Sequence, residues 1–329
     1  VVEILAKFKF IACHFFSYNL CLKICPCITP HYTQPRKNMS IDALVINLDT
    51  AEARWDFQQR QLQHLGIAYQ RLLATSTQSL DSLTYEQWAN DWQRKLRTTE
   101  VACFLSHYRA WQIVSDTGRP WLILEDDALL SERLPQVLDS IDTYLQAGLL
   151  SDSLAFDHIS FETRGRKKLY SRHPLPQVFL PSSFGINLHN LYLDKSGAAA
   201  YLLTPKGAKI LLDTVSATGA GLADALLCHN ESLVSLQTVP ALALQMDMVT
   251  HYQLGLTTDL IQNLSQSSIS NSSNHKPTAN NLSDTLRFKR RRLLAQAQRA
   301  HKQITFRNTA VYQEIEPIHR DFAYLNTLS

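Results

Sequence analysis

The segment WLILEDDALL, residues 121–130, sets a four-residue apolar run directly against three consecutive carboxylates, Glu125, Asp126 and Asp127. A short apolar run closed by a polar turn reads as a buried strand. Open α/β sheets take their ligands in the crevice outside the carboxyl ends of their strands, so the three acids are expected at such an edge. Adjacent carboxylates repel one another, and burying them without a cation is costly. A hard divalent ion with oxygen ligands would relieve that repulsion and would also neutralise the diphosphate of a nucleotide leaving group. Taken alone, an acidic triplet at a strand end is more often a solvated turn or a helix cap.

Working outward, IDALVINL from Ile41 reads as a buried strand, and 49–66 as a helix that carries Leu62 and Leu65 and stops at Gly66. IAYQRLLA is a second strand. A polar helical stretch then runs through Trp88 and Trp92. TEVACFLSHYRAWQIV is a helix with Val101, Leu105, Tyr108 and Ile113 near helical spacing. Beyond the acidic block, FDHISFE is a short strand, RGRKKL a basic loop, AAAYLLT a strand, and a helix opens near Pro205. This alternation predicts an α/β fold with a mostly parallel central sheet and helices on both faces, complete by about residue 254.

The two ends read differently. Residues 1–38 hold four of the six cysteines and no clean period, and Met39-Ser40 stands directly before the first strand. They are expected to be a non-core segment upstream of a natural start at Met39. The apolar stretch from Phe10 to Leu22 is shorter than the roughly 20 residues that a spanning helix needs. With only Cys103 and Cys228 left, the body reads as reduced and intracellular. Residues 255–284 are rich in serine and asparagine and are expected to be a linker. Residues 285–329 then begin with a basic helix that carries Arg287, Lys289, Arg290, Arg291, Arg292, Arg299 and Lys302 without an acid. Phe288, Leu293 and Leu294 give it a partial apolar face, which suits anionic lipid at least as well as nucleic acid. The formal charge of +3 is too small to argue for nucleic acid, and none is expected as a partner.

Six pieces stand in order across about residues 41–250: VINL with Arg54 shortly after, the strand ending at Ala74, TEVACFLSHYRAW, LILEDDALL, GAAAYLLTPKGAKILL and LADALL. In that order the chain resembles glycosyltransferase family 25, the lipo-oligosaccharide glycosyltransferases related to the collagen galactosyltransferases. The resemblance implies the GT-A nucleotide-sugar sandwich over 39–254 and a UDP-sugar donor, galactose first. It also implies a divalent metal, Mn2+ or Mg2+, and a lipo-oligosaccharide acceptor. The basic helix near 285–303 is in turn expected to make peripheral contact with anionic membrane and bring the enzyme to the cytoplasmic face of the inner membrane, where a lipid-linked acceptor would be made. The resemblance places Asn47 and Leu48 at the nucleotide base, with Arg54 either approaching the nucleotide or capping its own helix. Glu100, Ser106 and His107 fall in the donor pocket. Asp126 and Asp127 become the first metal and diphosphate candidates and Glu125 the second, with His251 completing the metal shell. Asp224 matches the later family acid and is the candidate general base, although LADALL also reads as a helix start that Asp224 would cap.

The chain departs from the family pattern at Ala102 and at the Thr75-Ser76-Thr77 stretch, where glycines are usual. Neither change removes a chemical group. Arg164, Arg166, Lys167 and Lys168 either hold diphosphate or an acidic sugar or form a solvated loop. The competing reading from another class is a catalytically silent carbohydrate-binding relative, with a transferase acting on a protein or another glycan as a further alternative. The intact acids at 125–127 and 224 argue against silence.

Overall fold

The computed structural model describes residues 28–29, 41–147, 155–176, 180–194, 197–256 and 281–328. Most of the expected N-terminal segment, and residues 257–280 of the expected linker, lie outside that range. In chain order the elements are β1 (Ile28–Thr29), β2 (Ala43–Asn47), α1 (Glu52–Leu65), β3 (Tyr69–Leu73), α2 (Ser82–Ala89), α3 (Thr98–Thr117), β4 (Trp121–Glu125), β5 (Ala128–Leu130) and α4 (Leu134–Gln146). There follow β6 (His158–Ser160), β7 (Glu162–Thr163), β8 (Lys168–Ser171), β9 (Asn187–Leu193), β10 (Ala200–Leu203), α5 (Pro205–Thr218), α6 (Ala223–His229), β11 (Ser235–Val239), β12 (Ala243–Gln245), α7 (Leu282–Thr305) and β13 (Ala310–Gln313), with a 3-10 helix over His319–Thr327.

Local chemistry explains the boundaries. α1 stops at Gly66, whose φ of 67° is the left-handed conformation that glycine adopts without strain. Asp81 caps α2 by accepting from the Thr84 amide at 2.8 Å. α5 starts on Thr204, whose hydroxyl accepts from the Gly207 amide, with Pro205 in the first turn. In β2 and β4 alternate residues face opposite ways. Ala43, Val45, Leu122 and Leu124 enter one core with α1 and α4, and Leu44, Ile46, Trp121 and Ile123 enter another with α3 and α5. Both faces are covered, so these strands read as unbroken apolar runs.

The sheet is mixed rather than mostly parallel. Its order is β1-β3-β2-β4-β10-β6-β11-β9-β8-β13, and only β2/β3, β2/β4 and β6/β11 pair in parallel. The alternation that predicts parallel crossovers holds only as far as β4. Past it, β10 runs antiparallel between β4 and β6, and β11, β9, β8 and β13 pair antiparallel in turn. A second sheet, β5-β12-β7, lies beside the end of β4.

The C-terminal residues are part of the body rather than a detached tail. β13 extends the sheet along β8, and Phe322 and Leu325 are wholly buried in the larger core. Asp321 accepts from Arg133 Nε at 2.5 Å. The polar stretch at 255–284 suggests a boundary in sequence, but the chain re-enters the same core beyond α7. Among the described residues no helix is long and apolar enough to cross a membrane.

Two measurements check this packing. Phe322→Ala is expected to cost about 3–5 kcal/mol of unfolding free energy by emptying a core site; an unchanged denaturation midpoint would mean that 310–328 is an appendage. Burial pushes the imidazole of His158 from 6.5 down to about 3. Between those values the unfolded chain binds the extra proton, so stability falls as pH drops from about 6.5 towards 3. His158→Gln should flatten that part of the acid limb relative to the parent, and parallel limbs would refute it.

Candidate active site

Glu125 ends β4, and the turn formed by Asp126 and Asp127 carries the chain from the large sheet to the small one. Two backbone bonds fix the turn: Glu125 N–H to Ala199 O at 2.9 Å and Met246 N–H to Asp127 O at 3.0 Å. α1 supplies the rest. Arg54, Gln58 and Gln61 stand four and three residues apart, hence on one face of the helix. Arg54 Nη1 donates to Asp126 Oδ1 at 2.9 Å. Gln58 Nε2 donates to the carbonyls of Asp126 at 3.1 Å and Ala128 at 2.8 Å. Gln61 donates to Ala128 O at 3.0 Å and accepts from Leu130 N–H at 2.9 Å.

From β2, Asn47 Nδ2 donates to Asp126 Oδ2 at 2.7 Å, while its Oδ1 accepts from Arg71 Nε at 2.9 Å and Nη2 at 2.6 Å. Asn47 is buried and its amide is fully used. Leu48 contributes its carbonyl, which accepts from Arg71 at 3.2 Å. Arg71, a residue the sequence does not single out, thus braces the whole end of β2. Arg54 resolves as an ion-pair partner of Asp126 rather than as a helix cap.

The three acids of the turn are in different electrostatic states. Burial works to raise Glu125, yet the His107 hydrogen bond at 3.0 Å, helped by Arg164 and Arg54, holds it below its usual value. Burial pushes Asp126 up even against Arg54 and Asn47. Asp127 is pushed up to about 8, by burial first and by the charges of Glu125 and Asp126 next. Its Oδ1 is buried with no hydrogen-bond partner among the described residues.

His107 is held on both ring nitrogens, by Tyr201 OH at Nδ1 and by Glu125 at Nε2, each at 3.0 Å. Trp111 Nε1 donates to the same Tyr201 oxygen at 2.9 Å. The polarity that satisfies a carboxylate acceptor runs Trp111 to Tyr201 to His107 to Glu125. Cys103, His107 and Glu125 have ligand atoms within 4.8 Å of one another, a spacing open to a metal. Burial and the neighbouring carboxylates push the Cys103 thiol up, which disfavours the thiolate a metal requires, and both nitrogens of His107 are taken. Within that trio it is His107 that braces Glu125.

Further acids complete the neighbourhood. Glu162 on β7 is buried; burial and the charge of Glu125 push its carboxyl far up, and its Oε2 accepts from Ala199 N–H at 2.7 Å. Asp224 lies in the first turn of α6, where Leu222 rather than Asp224 is the N-cap. Burial raises its carboxyl, with Glu125 and Asp194 adding to the effect and Arg166 opposing it. The loop between β7 and β8 turns at Gly165, whose φ is 61°, and presents Arg164, which pairs with Asp247 at 2.7 Å. Lys168 is not in that loop: it is buried on β8, paired with Asp194 at 2.7 Å and donating to Glu162 O and Gln237.

Other expected residues sit at the margin. Glu100 is clamped by both Arg94 nitrogens at 2.7 and 2.6 Å and accepts from Arg97 N–H, which makes it a helix-start brace. Ser106 accepts from Thr75 N–H at 2.9 Å and so pins the segment after β3 to α3. His251 pairs with Glu314 at 3.0 Å and is half exposed. Gln58, Gln61, Arg71, Tyr201 and Glu162 are the participants that sequence reasoning misses. The one available signal was the polar spacing of Arg54, Gln58 and Gln61 on a helix whose other buried positions are apolar.

The family described as glycosyltransferase family 25 (LPS biosynthesis protein) matches residues 40–226, more than half of the chain, and that span carries the acid turn, His107 and Asp224. The chain is also similar to the lipooligosaccharide biosynthesis protein lic2B of Haemophilus influenzae, 27% identical over 169 residues, which is 51% of this chain and 60% of that protein. The matched blocks are those that build the acid turn and its braces, and on that footing the chain belongs to glycosyltransferase family 25.

Proposed function

We propose that the protein transfers a hexosyl group, galactose first, from a UDP-sugar to a lipo-oligosaccharide or LPS core acceptor at the inner face of the inner membrane. The observation that carries this reading is the buried, unpartnered Oδ1 of Asp127 beside two carboxylates that already have partners. A buried carboxylate in that state takes either a proton or a cation. The residues fit a divalent ion with oxygen ligands, led by Asp127; Asp126 keeps lone pairs beyond those used by Arg54 and Asn47. His251 would join them only by leaving Glu314. When bound, the ion neutralises charge on the departing diphosphate.

The chain's own groups do the rest. Asn47 and Leu48 stand at the carboxyl end of β2, braced by Arg71 of β3, and offer the nucleotide base its place, while Ser106 holds the segment after β3 that borders it. Arg164 and Arg166 offer cations to the phosphates across the acid cluster. Asp224, with its basicity raised by burial, accepts the proton of the acceptor hydroxyl as that oxygen bonds to the anomeric carbon. The bond from that carbon to the diphosphate oxygen breaks, and the diphosphate leaves with the electron pair.

Two substitutions separate the roles. Asp127→Asn is expected to abolish transfer and Mn2+ binding by calorimetry, yet leave the melting temperature of the metal-free protein equal or higher, because a buried unpaired acid is removed. Near-normal turnover in that variant, or indifference of the parent to chelator, sinks the metal assignment. Asp224→Asn should keep UDP-sugar affinity while the transfer rate falls about 10²- to 10⁴-fold. Unchanged turnover with a lowered melting temperature would make Asp224 a structural residue of α6.

A further inference from the structure

α7 carries its apolar stripe on the wrong side for a helix that packs on a body. Its inward face is held by Phe288, which is buried, by Arg291 donating to the carbonyls of Asn90 and Trp92, and by Lys302 donating to Tyr192 O. At about 100° per residue, positions 282, 286, 293 and 304 fall within about 40° of one another and on the side opposite Phe288. Those positions are Leu282, Leu286, Leu293 and Ile304, exposed by 84%, 67%, 66% and 74%. With Leu294, five of the eight exposed large apolar side chains among the described residues lie on this one helix.

Charge identifies what covers the stripe. Lys289 and Arg290 flank it on its two sides, and no Asp or Glu occurs from 285 to 313. A second copy would set the same face against itself, cation against cation, with no carboxylate from this stretch to compensate. An anionic bilayer supplies both an apolar layer for the leucines and negative headgroups for the flanking cations.

We propose that the outward face of α7 docks the protein, parallel to the surface, on a membrane rich in anionic phospholipid. Phe288 is not part of the contact, since it anchors the helix to the body, and Arg291 and Lys302 serve the same end. The docking residues are Leu282, Leu286, Leu293 and Ile304, with Lys289 and Arg290.

The test is flotation of the full chain with vesicles of phosphatidylcholine alone and of phosphatidylcholine with phosphatidylglycerol, at low and high salt. Binding is expected to the phosphatidylglycerol vesicles only and to weaken with salt. Lys289→Gln with Arg290→Gln should lower partitioning by about tenfold or more. Leu286→Gln with Leu293→Gln should do the same, with the melting temperature and UDP-sugar binding unchanged because both side chains are exposed. Equal flotation with both vesicle types, or wild-type partitioning by either variant, overturns the proposal. A lipid-free dimer in analytical ultracentrifugation that the double leucine variant abolishes would instead assign the face to a second copy.

Discussion

The structure is organised around the cost of packing carboxylates together at the end of one strand. Glu125, Asp126, Asp127, Glu162 and Asp224 share a largely buried region in which Glu125 acts on each of the others. Each is compensated differently. Asp126 has the Arg54 guanidinium, Glu125 has His107, and Glu162 is held towards its protonated form by burial. Asp127 alone combines a buried oxygen, no donor and two charged neighbours. That difference among chemically similar side chains separates the acids that the fold itself supplies with partners from the one that it does not.

Rigidity of the turn follows from how α1 is used. A helix that packs on a sheet ordinarily turns an apolar stripe inward. Here Arg54, Gln58 and Gln61 interrupt the stripe and hydrogen-bond to the turn and the strand beyond it, while Trp55, Phe57, Leu62 and Leu65 keep the helix in the core. Asn47 and Arg71 perform the same service from the opposite side. Buried polar networks stabilise only when every member is satisfied, and these are. The carboxylates of Glu125 and Asp126 and the backbone of the turn are therefore held in place by the fold itself.

The C-terminal part serves two purposes with one stretch of chain. Residues 310–328 close the sheet and fill the core beside α4. α7 lies ahead of them, tied by its cations to the carbonyls of residues 90–93 and by the stacked rings of Tyr192 and Phe306 at 3.7 Å. Anchoring at both ends of the helix fixes which face looks outward. The apolar stripe is thereby presented rather than buried.

Much of this was legible without coordinates, because it depends on near neighbours in sequence. The apolar run ending in Glu125-Asp126-Asp127, the stop at Gly66, the start at Thr204-Pro205 and the basic stretch of α7 are local signals, and each marks a boundary that the fold keeps. The sheet's mixed direction was not legible, since nothing in a strand's own residues states which strand will pair with it or in which sense. Nor was the re-entry of residues 310–328 into the core after a long polar stretch. The same limit applies to the acids. Sequence alone placed three carboxylates in one turn; only the tertiary structure decided which stay paired, because the partners of Asp126 come from 79 and 72 residues away. The state of a buried charge is set by what the fold brings against it, and no local pattern encodes that.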